Sequence, residues 1–242
     1  MYSKLVGILN RCFPGKWFLD SGSLLGVIRD GCFLKQDMGI DISVLVDSYR
    51  EEAISEAVVG FKKLGFITST YEWNGVVYKY CFAPPLLSSF RYAVDLHLFI
   101  LNGDRYSCPQ FSLAIDNRIA ASFATIKKGD TITFRHSLSS CFKVVVASIY
   151  RYVLRYFGQP VRMDRYFRRK QGQCYMWDIP CKLFHGTQTG NYQSLAVLKE
   201  PEEYLEYRYG NWRVPNKDWV TIRDDGGIRP STKEEFECLL RG

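Results

Sequence analysis

At 242 residues and 47% hydrophobic content, the chain is long and apolar enough for one large or two small domains with a real core. Its formal net charge of +7 favours anionic partners: nucleotides, phosphorylated glycans, nucleic acid or an acidic membrane surface. Its eight cysteines are scattered with no C-x-x-C pair, which argues against a disulfide scaffold, and no run of about 18 apolar residues exists to form a membrane-spanning helix.

The opening Met1-Tyr-Ser-Lys-Leu-Val-Gly7 lacks the apolar stretch of a signal peptide, so the expected compartment is the cytoplasm. Leu5, Ile8 and Leu9 fall at helical spacing and predict a helix over Tyr2–Cys12, closed by Pro14-Gly15. Lys16–Asp20 reads as a strand, Leu24–Ile28 as a short helix opened by a Gly-Ser turn, and Arg29-Asp-Gly31 as its exit. Ile40–Val46 is a strand rich in β-branched residues. Tyr49–Leu64 is an amphipathic helix with Ala53, Ala57, Val58, Phe61 and Leu64 on one side, ended by Gly65. Strands are expected near Phe66–Tyr71, Val76–Phe82 and Arg91–Leu101, the first two joined by an Asn74-Gly75 hairpin turn.

Thr131–Phe134 reads as a short strand and Cys141–Phe157 as a long helix. Arg151, Arg155, Arg162, Arg165, Arg168, Arg169 and Lys170 make that region basic: either a solvated face or a docking surface for an anionic membrane. After Gly172 the chain is loop-rich and aromatic, with a short helix over Tyr204–Tyr209 ending at Gly210. The expected fold is α+β: a small mixed sheet flanked by helices, with a helical and loop-rich C-terminal part. Residues 1–138 form the expected core, and residues 139–242 pack on it without being independent.

The arrangement of a strand, a Gly-Ser turn opening a helix, and a second strand carrying carboxylates is the layout of a nucleotidyltransferase-type site. Backbone N–H groups at Gly22 and Ser23 would approach a phosphate, and carboxylates would hold a divalent cation. Alternation places Asp95 and His97 on one face of their strand, so Asp41 and Asp95 can meet if the two strands are neighbours. Asp37 and Asp41 read alternatively as turn and strand-end caps. His97 reads equally as a core histidine, a catalytic base or a phosphate ligand. Cys174 and Cys181 flank Trp177 at a spacing that specifies no metal site. No nucleic-acid-binding motif organises the basic residues, so nucleic acid is the weakest partner class.

These residues resemble the LicD/fukutin family of phosphotransferases, a branch of the nucleotidyltransferase fold. Gly22-Ser23-Leu24-Leu25-Gly26, Arg29, Asp37, Ile40, Asp41 and Ile42 match its N-terminal pattern, and Val94-Asp95-Leu96 its third acidic strand. Glu203-Tyr-Leu-Glu-Tyr-Arg-Tyr-Gly-Asn-Trp-Arg-Val-Pro215 is similar to its C-terminal signature, and Ile179-Pro180 with Leu183-Phe184 to the segment before it. The resemblance implies a phosphotransferase using Mg²⁺ or Mn²⁺. It would move phosphocholine, ribitol phosphate or glycerol phosphate from a CDP-activated donor to a hydroxyl of a cell-surface glycan, free or lipid-linked. It implies catalytic and metal roles for Asp37, Asp41 and Asp95, donor contacts for Gly22 and Ser23, and phosphate neutralisation by Arg29 and Lys35. Tyr204, Leu205, Tyr209 and Trp212 read as a packing cluster, and Arg208 as a partner for a phosphate or an acidic side chain.

Gly39 departs from that pattern, which has an acidic residue there. Asp37 and Asp41 lie about 13 Å apart in an extended strand, too far to share one ion. Three readings follow: Asp41 pairs with Asp95 alone, the chain kinks at Gly39 and brings Asp37 in, or the site has lost its metal and activity. Two other functions compete, a nucleotidyltransferase acting on a small molecule and a non-catalytic partner in glycan assembly.

Overall fold

The computed structural model describes residues 1–34, 39–84, 89–90, 92–112, 161–162, 173–216 and 218–241. The expected strand at 131–134, the expected helix at 141–157, most of the basic residues around it, and Lys35 and Asp37 lie outside the described residues. The architecture is α+β, a mixed sheet flanked by helices.

Helix α1 (Tyr2–Cys12) buries Leu5, Ile8, Leu9 and Cys12, the apolar spacing read from the sequence. Strand β1 (Trp17–Leu19) leads into α2 (Ser21–Asp30), which ends at Gly31 with φ +71°, a left-handed C-terminal stop. Helix α2 begins earlier than its apolar residues indicate because Asp20 caps it, its carboxylate accepting the Ser21 N–H at 2.6 Å. Strand β2 (Gly39–Val46) is followed by α3 (Glu52–Lys63), which buries Ile54, Ala57 and Phe61. Strands β3 (Ile67–Trp73) and β4 (Val76–Ala83) form the expected hairpin; Asn74 and Gly75 have φ of +48° and +83°, as a tight two-residue turn demands.

Strands β5 (Ala93–Asn102) and β6 (Arg105–Ser112) form a second hairpin, and β7 (Val161–Arg162) pairs parallel to β3. The C-terminal region adds β8 (Gln173–Pro180), a small β9 (Thr187–Thr189) and β10 (Ala196–Leu198) ribbon, α4 (Pro201–Tyr209), α5 (Thr221–Asp224), β11 (Ile228–Ser231) and α6 (Lys233–Arg241). Among the described residues, nine strands share one sheet in the order β11-β8-β6-β5-β4-β3-β7, with β2 on β5 and β1 on β2.

Strand β5 is the hub. Parallel β2 runs along one side of it over Ala93–Ile100, while β4 and then β6 share the other side. Side-chain alternation gives the hub two unlike faces. Ile40, Ile42, Val44, Val94, Leu96, Leu98 and Phe82 are buried on one, where Phe61 of α3 stacks on Phe82 at 4.1 Å between centroids. The opposite face carries Asp41 and Ser43 from β2, Asp95 and His97 from β5, and Lys79 and Cys81 from β4.

Candidate metal centre

Asp41 and Asp95 are direct partners in the parallel β2–β5 register, so the strand alternation that puts both on one face also puts them side by side. His97 is two residues along the same face. One ligand atom from each of Asp41, Asp95 and His97 lies within 4.8 Å of the others. Asp41 is the more open carboxylate, its side chain 30% exposed against 17% for Asp95.

The chain anchors this trio to the Gly-Ser turn. The Asp41 N–H donates to Ser23 Oγ at 3.0 Å, and the Asp20 N–H donates to the Asp41 carbonyl at 3.0 Å. The first turn of α2 is thereby locked onto the strand that bears Asp41. Ser21 pays a conformational cost at this junction with φ +50°, a region sparsely used by residues with a Cβ. Gly26 is needed further along the helix: a Cβ there would sit 2.7 Å from the Cys32 carbonyl oxygen and 2.8 Å from the Leu34 nitrogen. The segment leaving α2 thus folds back against the helix itself.

Asp41 and His97 open onto a cleft of about 1200 Å³ that also meets Gly22, Arg29, Trp177 and Trp212. Gly22 stands in the first turn of α2, where backbone N–H groups have no helical partner and favour an anion. Ser23 beside it is 1% exposed, and its hydroxyl oxygen accepts the Asp41 N–H. Arg29 does line the cleft; its guanidinium bonds Asp30 at 2.9 Å and donates to the Trp212 carbonyl at 3.4 Å. Two further indole N–H groups of cleft-lining residues, Trp177 and Trp212, are buried without a hydrogen-bond partner among the described residues.

His97 is held on three sides. Nε2 lies 3.4 Å from Asp41 Oδ1, Nδ1 lies 3.5 Å from the Gln110 amide nitrogen, and the ring meets Trp177 edge-on at 5.1 Å. Burial and the nearby Lys79 charge hold its pKa below the usual imidazole value, so the ring is neutral near neutral pH and has a lone pair to offer. Lys79 Nζ lies 3.0 Å from Asp95 Oδ2, and Cys81 Sγ contacts the other oxygen of the same carboxylate.

Two carboxylates and a neutral imidazole are a donor set that fits a divalent cation. The carboxylates suit Mg²⁺, and the nitrogen inclines the set towards Mn²⁺ or another first-row ion. Among the described residues the cysteines are free thiols, and Cys174 and Cys181 join no metal-binding group. His185 lies 3.6 Å from Glu203 on the surface and has no part in the cleft.

Sequence reasoning did not single out Lys79, Gln110 or Trp177 for this site. It left Arg208 open between a phosphate and an acidic partner, and the acidic partner is what is found. Arg208 is 1% exposed, donates to Asp20 at 2.7 Å and to Asp225 at 2.8 Å, and stacks 4.1 Å above the Trp177 ring. Tyr204, Leu205 and Trp212 are buried, as a packing cluster requires. Compared with known proteins, the chain matches no family model and no curated protein.

Proposed function

We propose that the protein is a metal-dependent phosphotransferase that moves a phosphorylated alcohol from a CDP-activated donor to a hydroxyl of a glycan. The observation that carries this reading is the in-register pair Asp41 and Asp95, with His97 beside them, of which Asp41 and His97 line a cleft that also receives the first turn of α2. The sequence resemblance to the LicD/fukutin pattern at Gly22–Gly26, Asp41 and Asp95 supports the same reading.

Asp41, Asp95 and His97 would hold the cation, which supplies charge neutralisation to the donor pyrophosphate when bound. The Gly22 amide in the first α2 turn would receive a donor phosphate oxygen, and Arg29, paired with Asp30 at the cleft wall, would turn to a second one. Asp41 lines the cleft, so it is the carboxylate we assign to taking the proton of the acceptor hydroxyl. Trp177 packs against the His97 ring, and Gln110, with its amide turned over so that Oε1 accepts the Nδ1–H, would leave the Nε2 lone pair to the cation. No helix among the described residues is long and apolar enough to cross a membrane. In this reading a lipid-linked acceptor is reached by peripheral contact with an anionic membrane from the cytoplasmic side.

Calorimetry with CDP-choline, CDP-ribitol and CDP-glycerol, in Mn²⁺ or Mg²⁺ and again in chelator, tests the reading. Metal-dependent binding of one donor is expected, and it names the transferred group. Asp41→Asn and Asp95→Asn are each expected to abolish that binding while the protein still unfolds cooperatively. An active double variant would sink the assignment. Release of CMP distinguishes this activity from nucleotidyl transfer, which releases pyrophosphate.

A further inference from the structure

Lys79 is the feature of this centre that the function above does not use. In the β4–β5 register it stands opposite His97, with Cys81 opposite Asp95, so its side chain rises from the carboxylate-bearing face. Its ammonium lies 3.0 Å from Asp95 Oδ2, with the two side chains only 18% and 17% exposed, and 5.5 Å from the centre of the Tyr71 ring. One row away, where the sequence pattern calls for another acidic residue, Gly39 pairs with Ala93 and offers no carboxylate. A Cβ built on Gly39 would meet only the Ala93 carbonyl oxygen, at 3.7 Å, within contact range. The described face therefore carries two carboxylates and one ammonium, with the ammonium in contact with Asp95. A cation bound by Asp41 and Asp95 competes with the Lys79 ammonium for the Asp95 carboxylate, and it places like charges together. A lysine on a flexible four-carbon stem has somewhere else to go once an anion enters the cleft.

We infer that Lys79 is a resident counter-ion of Asp95 that the divalent cation displaces and that then takes donor phosphate oxygens, so that metal and donor bind cooperatively. This rests on the metal-centre reading of the preceding section. Lys79 acts here as a positioning residue on the metal and a direct ligand of the donor. The protein alone then binds the cation weakly, a nucleoside diphosphate tightens it, and the cation tightens the diphosphate by the same factor.

The test is Mn²⁺ binding to the whole chain, followed by electron paramagnetic resonance, with and without saturating CDP. It compares the native protein with Lys79→Met, Lys79→Gln and Lys79→Arg, each first checked for cooperative thermal unfolding. Both neutral variants are expected to bind Mn²⁺ alone roughly tenfold tighter than the native protein and to lose most of the gain from CDP. Lys79→Arg, still a cation and able to grip Asp95 with two N–H groups, is expected to stay weak. A lysine that only balances Asp95 would also give tighter metal on neutralisation but would leave the gain from CDP intact, so the lost gain is what marks contact with the donor. Unchanged or weaker Mn²⁺ binding in both neutral variants, or an undiminished gain from CDP, overturns the role of Lys79 and leaves the metal centre standing. No Mn²⁺ binding to the native protein or any variant, with or without CDP, removes the metal centre and this inference with it.

Discussion

Arg208 is a side chain whose three guanidinium nitrogens all donate inside the protein. Its Nε and two terminal nitrogens reach Asp225, Asp20 and the Tyr204 hydroxyl. Asp20 in turn accepts from Ser43 Oγ at 2.5 Å, from the Ser21 N–H at 2.6 Å and from Tyr204 at 2.9 Å. Burial pushes the Asp20 carboxyl up, and the Arg208 charge is the largest influence pulling it back. Removing the guanidinium leaves two buried carboxylates with no cation. Arg208→Met is expected to cost about 3–5 kcal/mol in denaturant unfolding, because an uncompensated buried charge is far worse than an absent pair. A loss below about 1 kcal/mol would mean that water or protonation substitutes for the arginine.

Among the elements, β11 and α6 show how a local pair reports on pH. Arg229 spans them, donating to Asp178 at 2.6 Å and to both oxygens of Glu235, which also accepts from Ser231 Oγ at 2.9 Å. The Arg229 hydrogen bonds hold the Glu235 carboxyl below its ordinary value against an opposing burial effect. A depressed carboxyl stabilises the fold above the unfolded value of about 4.3 and loses its contribution as pH falls through the folded value. With the two side chains 40% and 35% exposed, the pair is worth only about 0.2–1 kcal/mol. Glu235→Gln is expected to cost that much near pH 7 and nothing near pH 2, measured as the difference between the two stability curves.

The same elements show what the sequence made legible. Alternation in Ile40–Val46 and Arg91–Leu101 put Asp95 and His97 on one face and let Asp41 meet Asp95 if the strands were neighbours; the parallel pairing and its register came from the structure. Lys79 was hidden because its register follows from the Asn74-Gly75 turn and from the irregularity between Tyr71 and Glu72, and an isolated lysine in a strand reads as solvent-facing. Strand β6 was obscured by Pro109, which reads as an edge or a break. The β5–β6 ladder stops at Ile100 and Ser107, so Pro109 needs a partner only on the β8 side. Helix α6 carried a usable signal: Thr232 Oγ1 accepts the Glu235 N–H at 3.1 Å, the capping pattern Thr-x-x-Glu, ahead of Phe236, Leu239 and Leu240.

For the molecule as a whole, the sheet does not respect the midpoint of the chain. Strand β8 pairs with β6 over Arg105–Ser112, and Arg208 and Asp225 complete the charge network of Asp20. A fragment of residues 1–138 is expected to show no cooperative thermal transition by circular dichroism, since it lacks the β6 partner and the cation that lets Asp20 be buried. A sharp transition in the fragment would make the N-terminal part a folding unit in its own right. The Asp20–Arg208 contact also has a consequence in time, because its partners are 188 residues apart. At roughly 5–20 residues per second on the ribosome, Asp20 waits on the order of 10–40 s for its guanidinium to be made. Throughout that wait the nascent chain keeps this carboxylate in water. The helix cap beneath the cleft is therefore among the last parts of the protein to settle, although its residues are among the first translated.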